Sequence, residues 1–176
     1  NESEFIASDE VSSTYSITSL ITDPSVSNKE SSDNADKPIV LIVEDNLDMA
    51  QYMTESLAHN YRVYHTINGN QGLELALIHT PDIILSDIMI DGMDGIQLTQ
   101  TLKNDIRTCH IPIILISARS SEEEVMEGLH TGAEDYLVKP FNPEVLKLKI
   151  ANLIRLSQRN KDKEISNEQK PQLCER

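Results

Sequence analysis

An apolar run that ends in a carboxylate, Ile83-Ile84-Leu85-Ser86-Asp87, constrains this chain more than any other stretch. Pro81 bounds it on one side. On the other it breaks into Ile88-Met89-Ile90-Asp91-Gly92-Met93-Asp94-Gly95, rich in the Asp and Gly of turns. A short run of this kind reads as a strand buried on both faces. In an open α/β sheet, the carboxyl edge of such a strand is where ligands bind. A lone carboxylate there is costly unless another group pairs with it. The rest of the chain must therefore bring a partner to Asp87.

Four more strands are legible. Ile39-Val40-Leu41-Ile42-Val43 is a second buried run, stopping at Glu44-Asp45-Asn46, where Asp45 or Asn46 can cap a helix. Tyr61–His65 alternates like a strand, Ile111–Ile116 is a buried run with Pro112 near its start, and Asp135–Val138 ends in Lys139-Pro140. Helical spacing separates them: Met49, Tyr52, Met53 and Leu57; Leu73, Ala76 and Leu77; Ile96, Thr99 and Leu102. Ser121 before Glu122-Glu123-Glu124 predicts an N-cap with acids in the first turn, and that helix should stop at Gly132. Pro143 opens a last helix, whose inward stripe is Leu146, Ile150, Leu153 and Ile154. Strand and helix alternate five times. That pattern predicts an α/β fold, a parallel sheet covered by helices on both faces through right-handed crossovers.

Charge narrows the function. The chain carries 29 acids against 15 bases, and the excess of acids holds in the central block as well as in the N-terminal arm. Phosphate backbones need a basic surface, which argues against free DNA or RNA as a direct partner. No apolar run approaches the ~20 residues of a membrane span, so no membrane contact by this stretch is expected. Cys109 and Cys174 offer neither a disulfide framework nor metal-ligand spacing, and a reducing, cytoplasmic setting follows. Residues 1–37 are rich in Ser, Thr, Asn and Asp and read as a disordered linker. Residues 38–158 form the folded domain, and residues 159–176 a polar C-terminal tail. The start, Asn1-Glu2-Ser3-Glu4, reads as the beginning of a piece of a longer protein.

Four predicted strands end in polar groups: Glu44 and Asp45, Asp87, Ser117, and Lys139. Parallel strands share one direction, so these groups converge on one rim. Carboxylates gathered there repel, by roughly 4 kcal/mol for a pair at about 4 Å in an effective dielectric near 20. A small hard cation relieves that repulsion, and Mg²⁺ takes carboxylate, water and phosphate oxygens. Lys139 adds a fixed positive charge and Ser117 a hydroxyl. The set suits a phosphoryl group delivered onto a carboxylate.

In this order these residues resemble the receiver domains of two-component response regulators. The resemblance covers about residues 38–158. It rests on Val43-Glu44-Asp45-Asn46, Ser86-Asp87-Ile88-Met89, Gly92-Met93-Asp94-Gly95, Ser117-Ala118-Arg119 and Asp135-Tyr136-Leu137-Val138-Lys139-Pro140-Phe141. It implies a flavodoxin-like fold with strand order 2-1-3-4-5. It implies that Asp87 takes a phosphoryl group from a phosphohistidine on a histidine kinase or phosphotransfer domain. Asp45, Asp87 and the Met89 backbone carbonyl would bind Mg²⁺, with Glu44 reaching it through water. Lys139, Ser117 and the Ala118 N–H would hold phosphoryl oxygens. Ser117 and Tyr136 would form the switch, the aromatic ring turning inward once Asp87 is phosphorylated. Lys139-Pro140 is a candidate cis bond. A homodimer through the fourth helix, fifth strand and fifth helix is a further expectation.

The sequence departs from the family pattern at Asp91, where many receivers have proline, and at Ser117, where threonine is commoner. A haloacid-dehalogenase-type phosphatase would need an acid two residues after its nucleophile, and Met89 stands there. An FMN binder would need a Ser/Thr-rich loop after the first strand, and Glu44-Asp45 would repel its phosphate. A degenerate receiver used only for docking is the remaining alternative, and the intact acidic set argues against it. No stand-alone enzyme is expected. The Ser-rich arm resembles a linker behind a kinase core, which points to a receiver from a hybrid histidine kinase, with membrane anchoring of the parent chain left open. A stand-alone regulator is the runner-up.

Overall fold

The computed structural model describes residues 36–168, with side chains to residue 162. The predicted N-terminal linker, apart from its last two residues, and the end of the predicted tail lie outside the described residues. Five strands, β1 (Ile39–Val43), β2 (Arg62–Thr66), β3 (Ile83–Asp87), β4 (Ile113–Ser117) and β5 (Asp135–Val138), form one sheet. Its order is β2-β1-β3-β4-β5, and every pairing is parallel. Five helices alternate with them: α1 (Leu47–Leu57), α2 (Gly69–His79), α3 (Gly95–Asn104), α4 (Glu122–His130) and α5 (Pro143–Glu168). The expected fold class and strand order are both present.

Side-chain alternation explains the two-faced packing. Along β1, Val40 and Ile42 join one core with Met53 and Leu57 of α1 and Leu146, Ile150 and Ile154 of α5. Leu41 and Val43 point the other way, to Ala76 of α2 and Leu98 and Leu102 of α3. Period 2 in the strand feeds period 3.6 in the helices on either side. Ile150 is fully buried in the first core, and a side chain of that size contributes about 2 kcal/mol by leaving water. A smaller cluster of Ile88, Leu115, Ala133 and Tyr136 fills the sheet beside α4.

Local signals set the helix starts. Asn46, not Asp45, caps α1: its Oδ1 accepts from the Met49 N–H at 3.0 Å, which leaves the neighbouring Asp45 exposed for other work. Asp94 and Gln97 form a capping box at α3, and Ser121 caps α4 as predicted. Pro143 is the first residue of α5, and Lys139-Pro140 is cis. The boundary expected near residue 158 falls inside a helix, because α5 continues to Glu168. No proline or glycine interrupts the sequence between Pro143 and Glu168.

Candidate functional site

The carboxyl edge of the sheet gathers the predicted polar set. β3 delivers Asp87 as its last residue, 7 % exposed, and β1 ends immediately before Glu44, 1 % exposed. Strand pairing fixes their relation, since β1 and β3 are hydrogen-bonded neighbours with Val43 opposite Ser86. One carboxylate oxygen from each of Glu44, Asp45 and Asp87 lies within 4.8 Å of the others. Lys139, just past β5, reaches over β4. Its ammonium donates to Asp87 Oδ2 at 2.6 Å and to Glu44 Oε2 at 2.7 Å. The other oxygen of Asp87 accepts from the Met89 N–H at 3.0 Å, so both carboxylate oxygens are fixed.

The electrostatics are mixed. Burial pushes the Glu44 carboxyl above its ordinary pKa, and the Lys139 hydrogen bond and charge offset only part of that rise. Burial works against the charge on Lys139 as well, but its bonds to Asp87 and Glu44 prevail, and its pKa is raised. Three carboxylates against one ammonium leave two negative charges at the rim. An all-oxygen donor set with that residual charge fits a hard divalent cation.

Ser117 is fully buried at the end of β4, and its Oγ accepts from the Arg119 N–H at 3.1 Å. Ala118 is exposed beside it. Tyr136 lies inward, 8 % exposed, and its hydroxyl donates to the Arg119 carbonyl at 3.1 Å. This is the inward position that the resemblance assigns to the phosphorylated domain. Three contacts were not legible in the sequence. The Arg119 guanidinium lies 3.4 Å from the Met89 sulfur and 3.6 Å from Glu124 Oε1. The His65 ring nitrogen lies 2.9 Å from the Glu44 carbonyl. The contacts of Arg119 with Met89 and of His65 with Glu44 join residues far apart in sequence, and none of the three follows a helix or strand spacing rule.

Several charges on the face expected to form a dimer are paired within the chain. Asp135 bonds Lys149 at 2.6 Å, Glu134 bonds Lys103 at 2.6 Å, and Lys147 bonds Glu144 at 2.8 Å. Asp91, the departure from proline, sits in an isolated parallel bridge with Asn68, next to Gly92 at φ 80°.

A doubly wound sheet in the order 2-1-3-4-5, with an acidic pocket and a lysine at its carboxyl edge, defines the class: a phosphoacceptor receiver module of two-component signalling. The family model of the response regulator receiver domain matches residues 40–151, and the chain belongs to that family. It is 38 % identical over 128 residues to histidine kinase P4 of Formosa agariphila, covering 73 % of this chain and 9 % of that protein. It is 37 % identical over 117 residues to the response regulator ArlR of Staphylococcus aureus, covering 66 % of this chain and 52 % of that one. The chain thus spans a small part to about half of these relatives. Among solved structures, it resembles the signal receiver domain of a signal transduction histidine kinase from Syntrophus aciditrophicus. The TM-score is 0.63 and the identity 31 %, covering 67 % of this chain and 90 % of that one.

Proposed function

We propose that Asp87 is the phosphoacceptor of this receiver domain. The observation that carries the reading is the meeting of Lys139 with Asp87 and Glu44 inside a cluster of three carboxylates. In the reaction, a carboxylate oxygen of Asp87 attacks the phosphorus of a phosphohistidine. The P–N bond breaks as the P–O bond forms, and the imidazole keeps the electron pair. Asp87 becomes an acyl phosphate. Phosphoryl transfer asks a protein mainly for positioning and charge neutralisation. Lys139 holds one carboxylate oxygen of Asp87 and is placed to follow the charge onto the phosphoryl group. The Ser117 hydroxyl and the Ala118 N–H meet another phosphoryl oxygen.

Asp45, Asp87 and the Met89 carbonyl would hold Mg²⁺, with Glu44 bonded to it through water. The bound ion would neutralise charge that develops on the transferring oxygens. The switch follows from Ser117 and Tyr136. A Ser117 hydroxyl drawn to the phosphoryl group releases its bond to the Arg119 N–H, and Tyr136 holds the carbonyl of the same residue. One residue of the β4–α4 loop therefore receives both signals.

The donor is a histidine kinase or phosphotransfer domain. Kinship with proteins named histidine kinases supports placing residues 38–158 as one receiver module of a longer, hybrid protein, read as cytoplasmic. No described helix is long and apolar enough to cross a membrane. A homodimer through α4, β5 and α5 would have to form although several charges of that face are already paired within the chain. Asp87→Asn tests the central assignment. Labelling by acetyl phosphate with Mg²⁺ should vanish, and labelling at the wild-type level would refute it.

A further inference from the structure

α4 meets the sheet through a residue without a side chain. Gly128 is the only residue of this helix that is buried. Val125 is half-buried, and Met126 and Leu129 are exposed. A Cβ on Gly128 would stand 3.0 Å from both Cδ2 and Cε2 of Tyr136, and 3.2 Å from Cδ1 of Leu115. Carbon atoms in ordinary contact stay farther apart than this. The ring beneath the glycine is the one whose hydroxyl holds the Arg119 carbonyl. Tyr136 thus touches the loop after Ser117 at one end and the second half of α4 at the other.

Backbone geometry does not demand glycine here. The positive φ near this end of the helix belongs to Gly132, not to Gly128. Glycine is also a poor helix former. Space is the remaining reason for it. We propose that Gly128 is a positioning residue for the switch. It is the gap into which the Tyr136 ring fits, so that the inward ring and the seat of α4 form one coupled state. This rests on the switch reading of Tyr136 given above. When the ring leaves, α4 loses its contact with Tyr136 and is free to shift. A side chain at residue 128 expels the ring or lifts the helix.

The test uses the full chain and four variants: Gly128→Ala, Tyr136→Phe, Tyr136→Ala, and the double variant of Gly128→Ala with Tyr136→Ala. Two readouts are taken. One is the ¹⁵N resonance of the Ser120 amide, which shares a peptide group with the Arg119 carbonyl. The other is the rate of labelling by acetyl phosphate with Mg²⁺. Gly128→Ala should move the Ser120 resonance towards its position in Tyr136→Phe. It should also change the labelling rate by at least about threefold, within the range of couplings between touching residues. In the Tyr136→Ala background the same substitution should change labelling by less than about twofold. There it should raise the melting temperature, because alanine favours the helix once the ring is gone. If Gly128→Ala alone fails to fold, a folded double variant supports the proposal just as well. A wild-type resonance in Gly128→Ala, or an equal effect in both backgrounds, overturns the role of Gly128 and leaves the switch reading standing. If Tyr136→Ala labels and responds to beryllofluoride like the wild type, the switch reading falls and takes this proposal with it.

Discussion

The Lys139 ammonium lies 2.6 Å from Asp87 Oδ2, across a strand that contributes nothing to the pair. β4 separates β3 from β5, and the lysine stem crosses its end to reach a carboxylate 52 residues away in sequence. The same ammonium holds Glu44, whose side chain is 1 % exposed. Removing one partner from a buried ion pair leaves an uncompensated charge. Lys139→Met should lower the unfolding free energy by about 3 kcal/mol at neutral pH, read from urea melts in EDTA. It should also slow labelling by acetyl phosphate. Unchanged stability would mean that water, rather than Lys139, satisfies these carboxylates.

The pKa shifts predict a loss of stability with rising pH at each end of the pH scale. Glu44 is raised above 4.5 by burial, so the folded state binds more protons than the unfolded state just above that pH. Stability from this group is full below pH 4.5 and falls as pH climbs through the folded pKa. Lys139 is raised above 10.5, despite its burial, by its bonds to Asp87 and Glu44. Its contribution is complete below pH 10.5 and is lost as pH rises through the higher folded value. Urea melts across pH in EDTA should show both declines. Glu44→Gln should lack the acidic one and Lys139→Met the alkaline one.

Asp45 differs from its neighbours in being exposed, and Lys139 reaches the other two carboxylates of the cluster. Its charge is therefore the part of the set most available to a cation. Mg²⁺ at about 100 times its dissociation constant should raise stability by about 2.7 kcal/mol. EDTA should reverse the gain. Asp45→Asn should lose most of it while keeping its metal-free stability within about 0.5 kcal/mol, as is usual for exposed positions. Thermal melts with and without Mg²⁺ decide this, and an undiminished Mg²⁺ effect in Asp45→Asn would remove Asp45 from the cation site.

Much of the site was legible because each strand announces its own end. Apolar runs stop where the chain leaves the core, so Glu44, Asp87, Ser117 and Lys139 could be placed on one rim before any coordinates. Boundaries slipped where that contrast is weak. β2 is an edge strand, exposed or half-buried along most of its length, and runs Arg62–Thr66 rather than Tyr61–His65. β4 begins at Ile113 rather than Ile111, since Pro112 has no N–H to give the ladder. Leu98, 1 % exposed, was missed on the inward face of α3. Gly72 and Gly128 are buried too, and a residue without a side chain sends no hydrophobic signal. The direct bond from Lys139 to Glu44 was also unforeseen, because the sequence gives strand ends but not which long side chain crosses to which.

Gly95 offers a last prediction, one that separates the backbone of the site from its charges. A Cβ on this residue would lie 2.3 Å from the Asp87 carbonyl and 2.9 Å from the Ile88 Cα. The Gly95 N–H also bonds the Ile88 carbonyl at 3.1 Å, which draws the first turn of α3 against the end of β3. The glycine is there so that two stretches of backbone can touch. Backbone cannot swing aside as a flexible side chain can, so Gly95→Ala must push α3 and β3 apart. It should cost about 1–3 kcal/mol, as overpacking does. The strain falls on the peptide of Asp87, so labelling should slow although no charged group has changed. Urea melts and acetyl phosphate labelling measured together give the answer. A variant that loses stability yet labels at the wild-type rate would show that Asp87 keeps its position independently of α3.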